Sequence, residues 1–288
     1  IFFLFWSGKS LLLQILSGRE KSNGGRVTLD EMVLPHASGT AIQYFGPYPN
    51  DGFIGRLSTV IRPGRSDNSA DRVSAAITSN ARVILLDDVF CGLDRDGRER
   101  EFERLRKSAR EFQTIVVIAS SSFEEVLSFC DKAAVLHKGE ILQHGIAENI
   151  YLDPASSVVA ELTGRCNVFE GRRTSSSKAE VPKFQTIVGG HHLLAGKTNK
   201  ARLGALNRNL RLAIRPEHIS IAFGASFPDD NLIKAVVKRV KFLGPSTLVS
   251  LDAGGLELEA LVMRLVGLEP RGECMLGLPP DRIMVFAE

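Results

Sequence analysis

RVILLDD, residues 82–88, is a run of four apolar residues between an arginine and two acids. Such a run predicts a buried strand whose carboxyl end reaches solvent. TIVVIA, residues 114–119, predicts a second strand of the same kind. The charged segment between them, residues 99–110, carries Phe102 and Leu105 and predicts a helix. Buried strands that alternate with helices indicate an α/β fold with a mostly parallel sheet covered on both faces.

The alternation continues on both sides of this segment. Ahead of it, residues 1–6 predict an apolar strand and residues 10–17 an apolar helix. After it, residues 123–130 predict a helix, and strands 133–136 and 140–143 flank a turn at Lys138-Gly139. The first part of the chain is therefore expected to be a single α/β domain.

The pattern changes after about residue 164. Short strand-like segments follow one another, separated by Gly, Pro, Asp and Asn: 210–214, 218–222, 233–240, 247–251 and 256–262. Short strands at regular spacing predict a small antiparallel barrel. We place the boundary near residue 163, between an α/β domain of residues 1–163 and a β-barrel domain of residues 164–288.

Composition narrows the class of protein. The 288 residues are 44% hydrophobic and 24% charged, with a net charge of +3, which is ordinary for a globular chain and does not indicate a nucleic-acid partner. In the basic segment 234–241, basic and apolar residues alternate, which predicts a half-buried strand.

The four cysteines form no C-x-x-C pair, which argues against a disulfide framework or a zinc site. No apolar run approaches the roughly 18 residues of a membrane span. Because the chain begins with Ile1, we expect a missing N-terminal piece.

The tetrad Ser7-Gly8-Lys9-Ser10 stands between an apolar strand and an apolar helix, as a phosphate-binding P-loop requires. Backbone N–H groups at a helix N-terminus attract phosphate, Lys9 would reach the terminal phosphates, and the Ser10 hydroxyl would bind Mg²⁺. A second match, Gly196-Lys197-Thr198, precedes no apolar helix and is interpreted as a surface loop. Asp87 and Asp88 resemble a Walker B pair, although a buried strand that ends in a solvated acidic turn is the alternative.

Longer segments carry a resemblance to a family. Those in the first part are Gly92-Leu93-Asp94, SSSFEEVL (120–127), CDKAAVLHKGEI (130–141) and QHGIAENIYLDPA (143–155). Together they resemble the ATP-binding subunit of an ABC transporter. TGRCNVFEG (163–171), LAIRPEHI (212–219) and FLG (242–244) resemble the TOBE domain of importer subunits. The resemblance covers nearly the whole chain and implies an importer of the polyamine, ferric-iron, sulfate, molybdate or sugar group, with a polyamine or ferric iron as the leading expectation.

The resemblance implies ATP and Mg²⁺ as cofactors, with Ser7, Gly8, Lys9 and Ser10 around the phosphates. Gln43 would be the Q-loop glutamine, which completes the metal shell with Ser10 and Asp87, and Asp88 would be the catalytic base. The implied partners are membrane-spanning permease subunits and a second ATP-binding subunit. The implied location is cytoplasmic, peripheral on the inner face of the cell membrane.

Several positions depart from the family pattern. Phe3 and Trp6 stand where the P-loop has glycines, which permit close approach of backbone to phosphate. Ser66 alone persists from the signature motif, which contacts the nucleotide in the family, and Ser121 aligns with the switch histidine of the catalytic site. Asp88 replaces a glutamate and is one methylene shorter, and the helical subdomain is short. The alternative function is therefore a structural or regulatory subunit with weak or no ATPase activity.

Overall fold

A computed structural model describes residues 8–29, 32–33, 41–46, 69–175, 181–196, 205–222, 229–263 and 267–287. The chain divides into two compact units, Ile1–Ile150 and Tyr151–Glu288. The predicted domain boundary near residue 163 stays a prediction, since a family domain need not coincide with a compact unit.

The first unit contains a parallel sheet that joins three strands in the order β3, β4, β5. Its strands and hairpins are β1 (Thr28–Leu29), β2 (Met32–Val33), β3 (Ile42–Phe45), β4 (Val83–Asp87), β5 (Ile115–Ala119), β6 (Ala133–His137) and β7 (Glu140–Gly145). Its helices are α1 (Lys9–Leu16), α2 (Ser69–Ile77), α3 (Arg95–Glu111), α4 (Phe123–Phe129) and α5 (Ala147–Leu152). The predicted strands at RVILLDD and TIVVIA and the helix between them are present, so the predicted parallel α/β class is confirmed.

Helices cover both faces of the parallel sheet. On one face, Leu13 of α1 packs in a buried cluster with Val83 and Leu85 of β4. On the other face, Val73 of α2 and Phe102 of α3 pack in a cluster with alternate residues of the same strand. A strand that is buried on both faces has no polar side, which is why RVILLDD is continuously apolar up to its acids.

Two helix starts fix the loops at the carboxyl end of the sheet. Asp94 is the N-cap of α3, and its side chain accepts a 2.7 Å hydrogen bond from the Gly97 amide. Ser122 caps α4 and accepts a hydrogen bond from the Glu125 amide. These caps satisfy N–H groups that a helix leaves open in its first turn. The two caps therefore fix where the loops after β4 and β5 end and the helices begin.

The second unit is built from two five-stranded antiparallel sheets. One has the order β10-β9-β8-β11-β17 and the other β12-β16-β13-β14-β15. The strands are β8 (Asn167–Arg173), β9 (Lys183–Thr186), β10 (His192–Leu194), β11 (Asn209–Ile214), β12 (Ser220–Ala222), β13 (Asn231–Phe242), β14 (Thr247–Ala253), β15 (Leu256–Val262), β16 (Glu273–Leu278) and β17 (Met284–Phe286), and α6 is Ser157–Leu162. Buried residues of both sheets share one core, as the predicted small β-barrel requires.

Buried polar side chains join the parts of this unit. The Asn167 amide donates to the carbonyls of Ile214 and Glu259, and its oxygen accepts from the Glu259 amide at 2.7 Å. Arg215 is 1% exposed and donates to the carbonyls of Tyr151 and Ala160 and to the Thr163 hydroxyl. These contacts explain Asn167 of the G-R-x-N segment and Arg215 of the IRPEH segment as structural requirements of this unit.

Candidate functional site

Gly8 and Lys9 begin the candidate phosphate site. Gly8 is the N-cap of α1 with φ of 87°, in the left-handed region that favours glycine. Among the residues that the structure describes, none lies within 4 Å of a Cβ added at Gly8. The first N–H groups of a helix lack intrahelical acceptors and carry partial positive charge. This end of α1 can therefore receive an anion such as a phosphate.

Asp87 lies at the carboxyl end of β4 and is 0% exposed. Its Oδ2 accepts a 2.9 Å hydrogen bond from the Tyr44 hydroxyl. Its Oδ1 is buried and has no hydrogen-bond partner within the part of the chain that the structure describes. Burial raises the pKa of Asp87, while the Ser10 and Tyr44 side chains act in the opposite direction because they favour the charged form.

The residues around Asp87 fit a Mg²⁺ ion. A buried carboxylate oxygen without a partner is an uncommon feature that a cation or its bound water would satisfy. Mg²⁺ prefers oxygen ligands and commonly takes one or two protein oxygens together with water and substrate phosphates. Ser10 and Asp87 supply hydroxyl and carboxylate oxygens. Within the described ranges, no three or more His, Cys, Asp or Glu side chains form a group that could hold a metal ion.

Asp88 forms an ion pair with Lys9, the lysine that is predicted to bind phosphate. Lys9 Nζ lies 2.8 Å from Asp88 Oδ2, and the two side chains are 10% and 27% exposed. Asp88 has φ of 48°, a left-handed conformation that is uncommon outside glycine and that costs free energy. Its amide donates to the Ala119 carbonyl at 2.9 Å, which ties this turn to the end of β5. In this arrangement the proposed base and the proposed phosphate-binding group neutralise each other.

Gln43 belongs to a strand, where a loop was expected. It was expected in a loop beside the metal, but it lies within β3, opposite Ile84 of β4. Ile84 precedes Asp87 by three residues, or about 10 Å of strand. Side chains alternate between the faces of a strand, and it is Tyr44 that packs on the face of Leu85 and α1. The predicted role of Gln43 at the metal stays a prediction, while Tyr44 is hydrogen-bonded to Asp87.

Ser121 lies in the loop between β5 and α4, two positions after Ala119. Ala119 pairs with Asp87, so this loop leaves the sheet at the same edge as the acids. The neighbouring Ser120 hydroxyl donates to Glu125 Oε2 at 2.6 Å, and Glu125 also pairs with Arg98 of α3 at 2.7 Å. The predicted role of Ser121 stays a prediction. A serine has no ionisable ring, so it cannot replace the histidine of the family as a group that carries a proton.

Ser7 and Ser66, both predicted to contact nucleotide, lie outside the described residues, as do Phe3 and Trp6. The described site therefore consists of Gly8, Lys9, Ser10, Tyr44, Asp87 and Asp88. Within the described ranges, no helix is long and apolar enough to cross a membrane.

Tyr44 is the site residue that sequence reasoning missed. It directly follows Gln43, and the family resemblance implies no role for it. Strand alternation was the available signal, since Ile42 and Tyr44 share one face if residues 42–45 form a strand. The segment is too short and too close to Gly46-Pro47 for its periodicity to be distinguished from a loop.

Comparisons with known proteins give one matching family model and several similar import ATP-binding proteins. Residues 212–286 match the TOBE domain family. The chain is 25% identical over 193 residues to the molybdate/tungstate import ATP-binding protein WtpC of Pyrococcus horikoshii, covering 67% of this chain and 52% of that protein. It is 29% identical over 216 residues to the sulfate/thiosulfate import ATP-binding protein CysA of Bacillus cereus, covering 74% and 56%.

A third relative is the spermidine/putrescine import ATP-binding protein PotA of Clostridioides difficile, 25% identical over 207 residues and covering 71% of this chain and 54% of that protein. Among solved structures, an ATP-binding subunit of an ABC transporter is similar with a TM-score of 0.42 and 16% identity, covering 56% of this chain and 86% of that one. The chain spans about half the length of these three curated relatives.

Proposed function

We propose that this chain, a homologue of the import ATP-binding subunits of ABC transporters with a C-terminal TOBE domain, binds ATP with Mg²⁺ and couples that binding to solute uptake. The observation that carries the proposal is the buried oxygen of Asp87 without a partner, next to a helix that begins at Gly8-Lys9. Membrane-spanning permease subunits and a second ATP-binding subunit are the proposed partners. The proposed location of the chain is the inner face of the cell membrane.

Each residue of the site has a defined task in this proposal. The N–H groups at the start of α1 bind phosphate oxygens, and Lys9 contributes a positive charge at the terminal phosphates. Ser10 and Asp87 hold Mg²⁺, which when bound neutralises charge on the phosphates. Asp88 orients and deprotonates the attacking water, for which it has to leave Lys9. Lys9 therefore exchanges one anion, Asp88, for another, the nucleotide phosphate.

A second candidate function is a structural or regulatory ABC subunit with weak or no ATPase activity. The Lys9–Asp88 ion pair favours it, because the pair keeps both proposed groups from substrate. Asp88 is also shorter than the glutamate of the family, so its carboxylate reaches less far towards a water.

The solute that we propose is a polyamine or ferric iron. Only the sequences of residues 167–171 and 214–218 support this choice. Uptake of labelled putrescine and of ferric iron distinguishes the two.

Equilibrium binding of a fluorescent, non-hydrolysable ATP analogue in Mg²⁺ tests nucleotide binding. Lys9→Ala is expected to weaken the affinity at least tenfold, since a charged hydrogen-bonding group towards phosphate is lost. Lys197→Ala is the matched control, because Lys197 stands in the second G-K-T match of the sequence and should leave the affinity unchanged. Equal loss in both variants, or no binding by the unmodified chain, contradicts the proposal. The release of phosphate from ATP by the unmodified chain then separates the two candidate functions.

A further inference from the structure

We propose that Tyr44 is a positioning residue for Asp87: its hydroxyl holds Oδ2, so that Oδ1 is the carboxylate oxygen left for the metal ion or its bound water. The inference rests on the proposed function, because it concerns the same metal-holding carboxylate. It adds a residue for which the sequence resemblance gives no role.

The first support is the contact between the two side chains. The Tyr44 hydroxyl donates to Asp87 Oδ2 at 2.9 Å, while the described residues leave Oδ1 without a partner. Asp87 is completely buried, so water does not orient its carboxylate. A carboxylate that is fixed through one oxygen presents the other in a defined direction. Such outer partners of metal ligands fix the orientation of the ligand and tune its affinity.

The second support is that Tyr44 is itself held in place. The Arg19 guanidinium lies 4.7 Å from the centroid of the Tyr44 ring, and Arg19 Nη2 donates to the Tyr44 carbonyl. The ring also packs against the cluster that contains Leu13 of α1. Burial, and after it the charge of Asp87, raise the pKa of Tyr44 to about 12, so the hydroxyl keeps its proton and acts as a donor.

The third support is strand register. Tyr44 pairs with Leu85, and side chains at alternate positions of β3 and β4 share a face, which brings Tyr44 and Asp87 to the side of α1. Gln43 takes the other side of β3. A shift of the β3 register by one residue would place Gln43 on the side of α1 and Tyr44 on the other side. The structure therefore assigns the contact with the Walker B aspartate to the tyrosine that follows the predicted Q-loop glutamine.

The second unit offers a matched control. Tyr151 also donates its hydroxyl to a carboxylate, that of Glu217, and it also lies under an arginine, with Arg215 at 4.0 Å from its ring centroid. The pKa of Tyr151 is likewise raised to about 12, first by burial and then by its hydrogen bond to Glu217. Tyr44→Phe and Tyr151→Phe each remove one hydroxyl from a tyrosine–carboxylate pair. Only the first pair includes the proposed metal ligand.

The test measures how strongly Mg²⁺ improves nucleotide binding. The affinity for the fluorescent, non-hydrolysable ATP analogue is determined for the full chain in EDTA and in excess Mg²⁺, and the ratio of the two dissociation constants is the metal effect. We expect Tyr44→Phe to reduce this ratio about tenfold or more. Its affinity in EDTA and the ratio for Tyr151→Phe should match those of the unmodified chain.

Each result has a distinct meaning. An unmodified chain that binds no nucleotide overturns the proposed function and this inference with it. Nucleotide binding that Mg²⁺ strengthens equally in the unmodified chain and Tyr44→Phe overturns the inference alone, as does an equal loss in Tyr44→Phe and Tyr151→Phe. If Tyr44→Phe unfolds, Arg19→Gln replaces it, since Arg19 is exposed and contacts Tyr44 at both its ring and its carbonyl. A smaller loss of the metal effect supports the inference in that case, and an unchanged ratio overturns it.

Discussion

Lys9 has two alternative anionic partners, and the competition between them governs the site. In the structure it is paired with Asp88 at 2.8 Å, with both side chains largely shielded from solvent. The proposed function requires that a phosphate replace Asp88. Because the ion pair has to break first, its free energy is subtracted from the free energy of nucleotide binding.

Replacing Asp88 by Asn tests this competition. Asn tolerates the left-handed backbone at this position, so the turn is expected to persist. Without the carboxylate charge, Lys9 should bind the non-hydrolysable ATP analogue about fivefold more tightly, which corresponds to about 1 kcal/mol. Titration calorimetry measures the change, with the exposed Asp96→Asn as the control. Weaker or unchanged binding by Asp88→Asn would show that the pair does not compete with nucleotide.

Among the elements, α3 illustrates how packing fixes the edge of the sheet that carries the site. Phe102 stacks on Phe90 at 4.0 Å and on Phe129 at 3.8 Å between ring centroids. Phe90 belongs to the turn just after Asp87 and Asp88, and Phe129 ends α4. This stack therefore connects the loop after β4 with the two helices that follow it.

Phe102→Ala is expected to lower the free energy of unfolding by about 3–5 kcal/mol, because it leaves a cavity between two aromatic rings. Phe112→Ala is the matched control, since Phe112 caps the same helix but is 60% exposed, and its loss should cost about 0.5 kcal/mol or less. Urea denaturation followed by circular dichroism measures both. Similar midpoints for the two variants would contradict the importance of the stack.

The same elements show which parts of the fold could be predicted from sequence. Strands β4 and β5 could, because burial on both faces requires continuous apolar runs that few other structures share. Strand β3 could not, because its four residues do not distinguish a strand from a loop, and its register depends on pairing with a segment about 40 residues away. The omission of Tyr44 has this cause.

The barrel was predicted as a class but not in full. Strands β13, β14 and β15 were expected because their buried and exposed residues alternate along the sequence. The strands that were missed are β8, β9, β10, β16 and β17, since glycine in β8 and β16 and the shortness of β9, β10 and β17 conceal that alternation. Their identity depends on which strands lie beside them, which is a tertiary property.

For the chain as a whole, the α/β core and the β-barrel are the two parts that the resemblance to importer ATP-binding subunits implied, and both are present. The site residues Lys9, Ser10, Asp87 and Asp88 were proposed from motif positions, and the structure brings Lys9 to Asp88 and Ser10 close to Asp87. Motif positions predicted that these four residues lie near one another, because P-loop and Walker B segments meet at the carboxyl edge of one sheet. The pairing of Lys9 with Asp88, by contrast, depends on side-chain geometry that spacing does not encode.

A structure of the full chain with Mg²⁺ and a non-hydrolysable ATP analogue tests the central claim most directly. The account predicts phosphate oxygens on the N–H groups at the start of α1, Lys9 Nζ turned from Asp88 to a phosphate, and the metal on the side of Asp87 Oδ1. A nucleotide bound elsewhere, or an empty helix start with Lys9 still paired to Asp88 at saturating ligand, would contradict it.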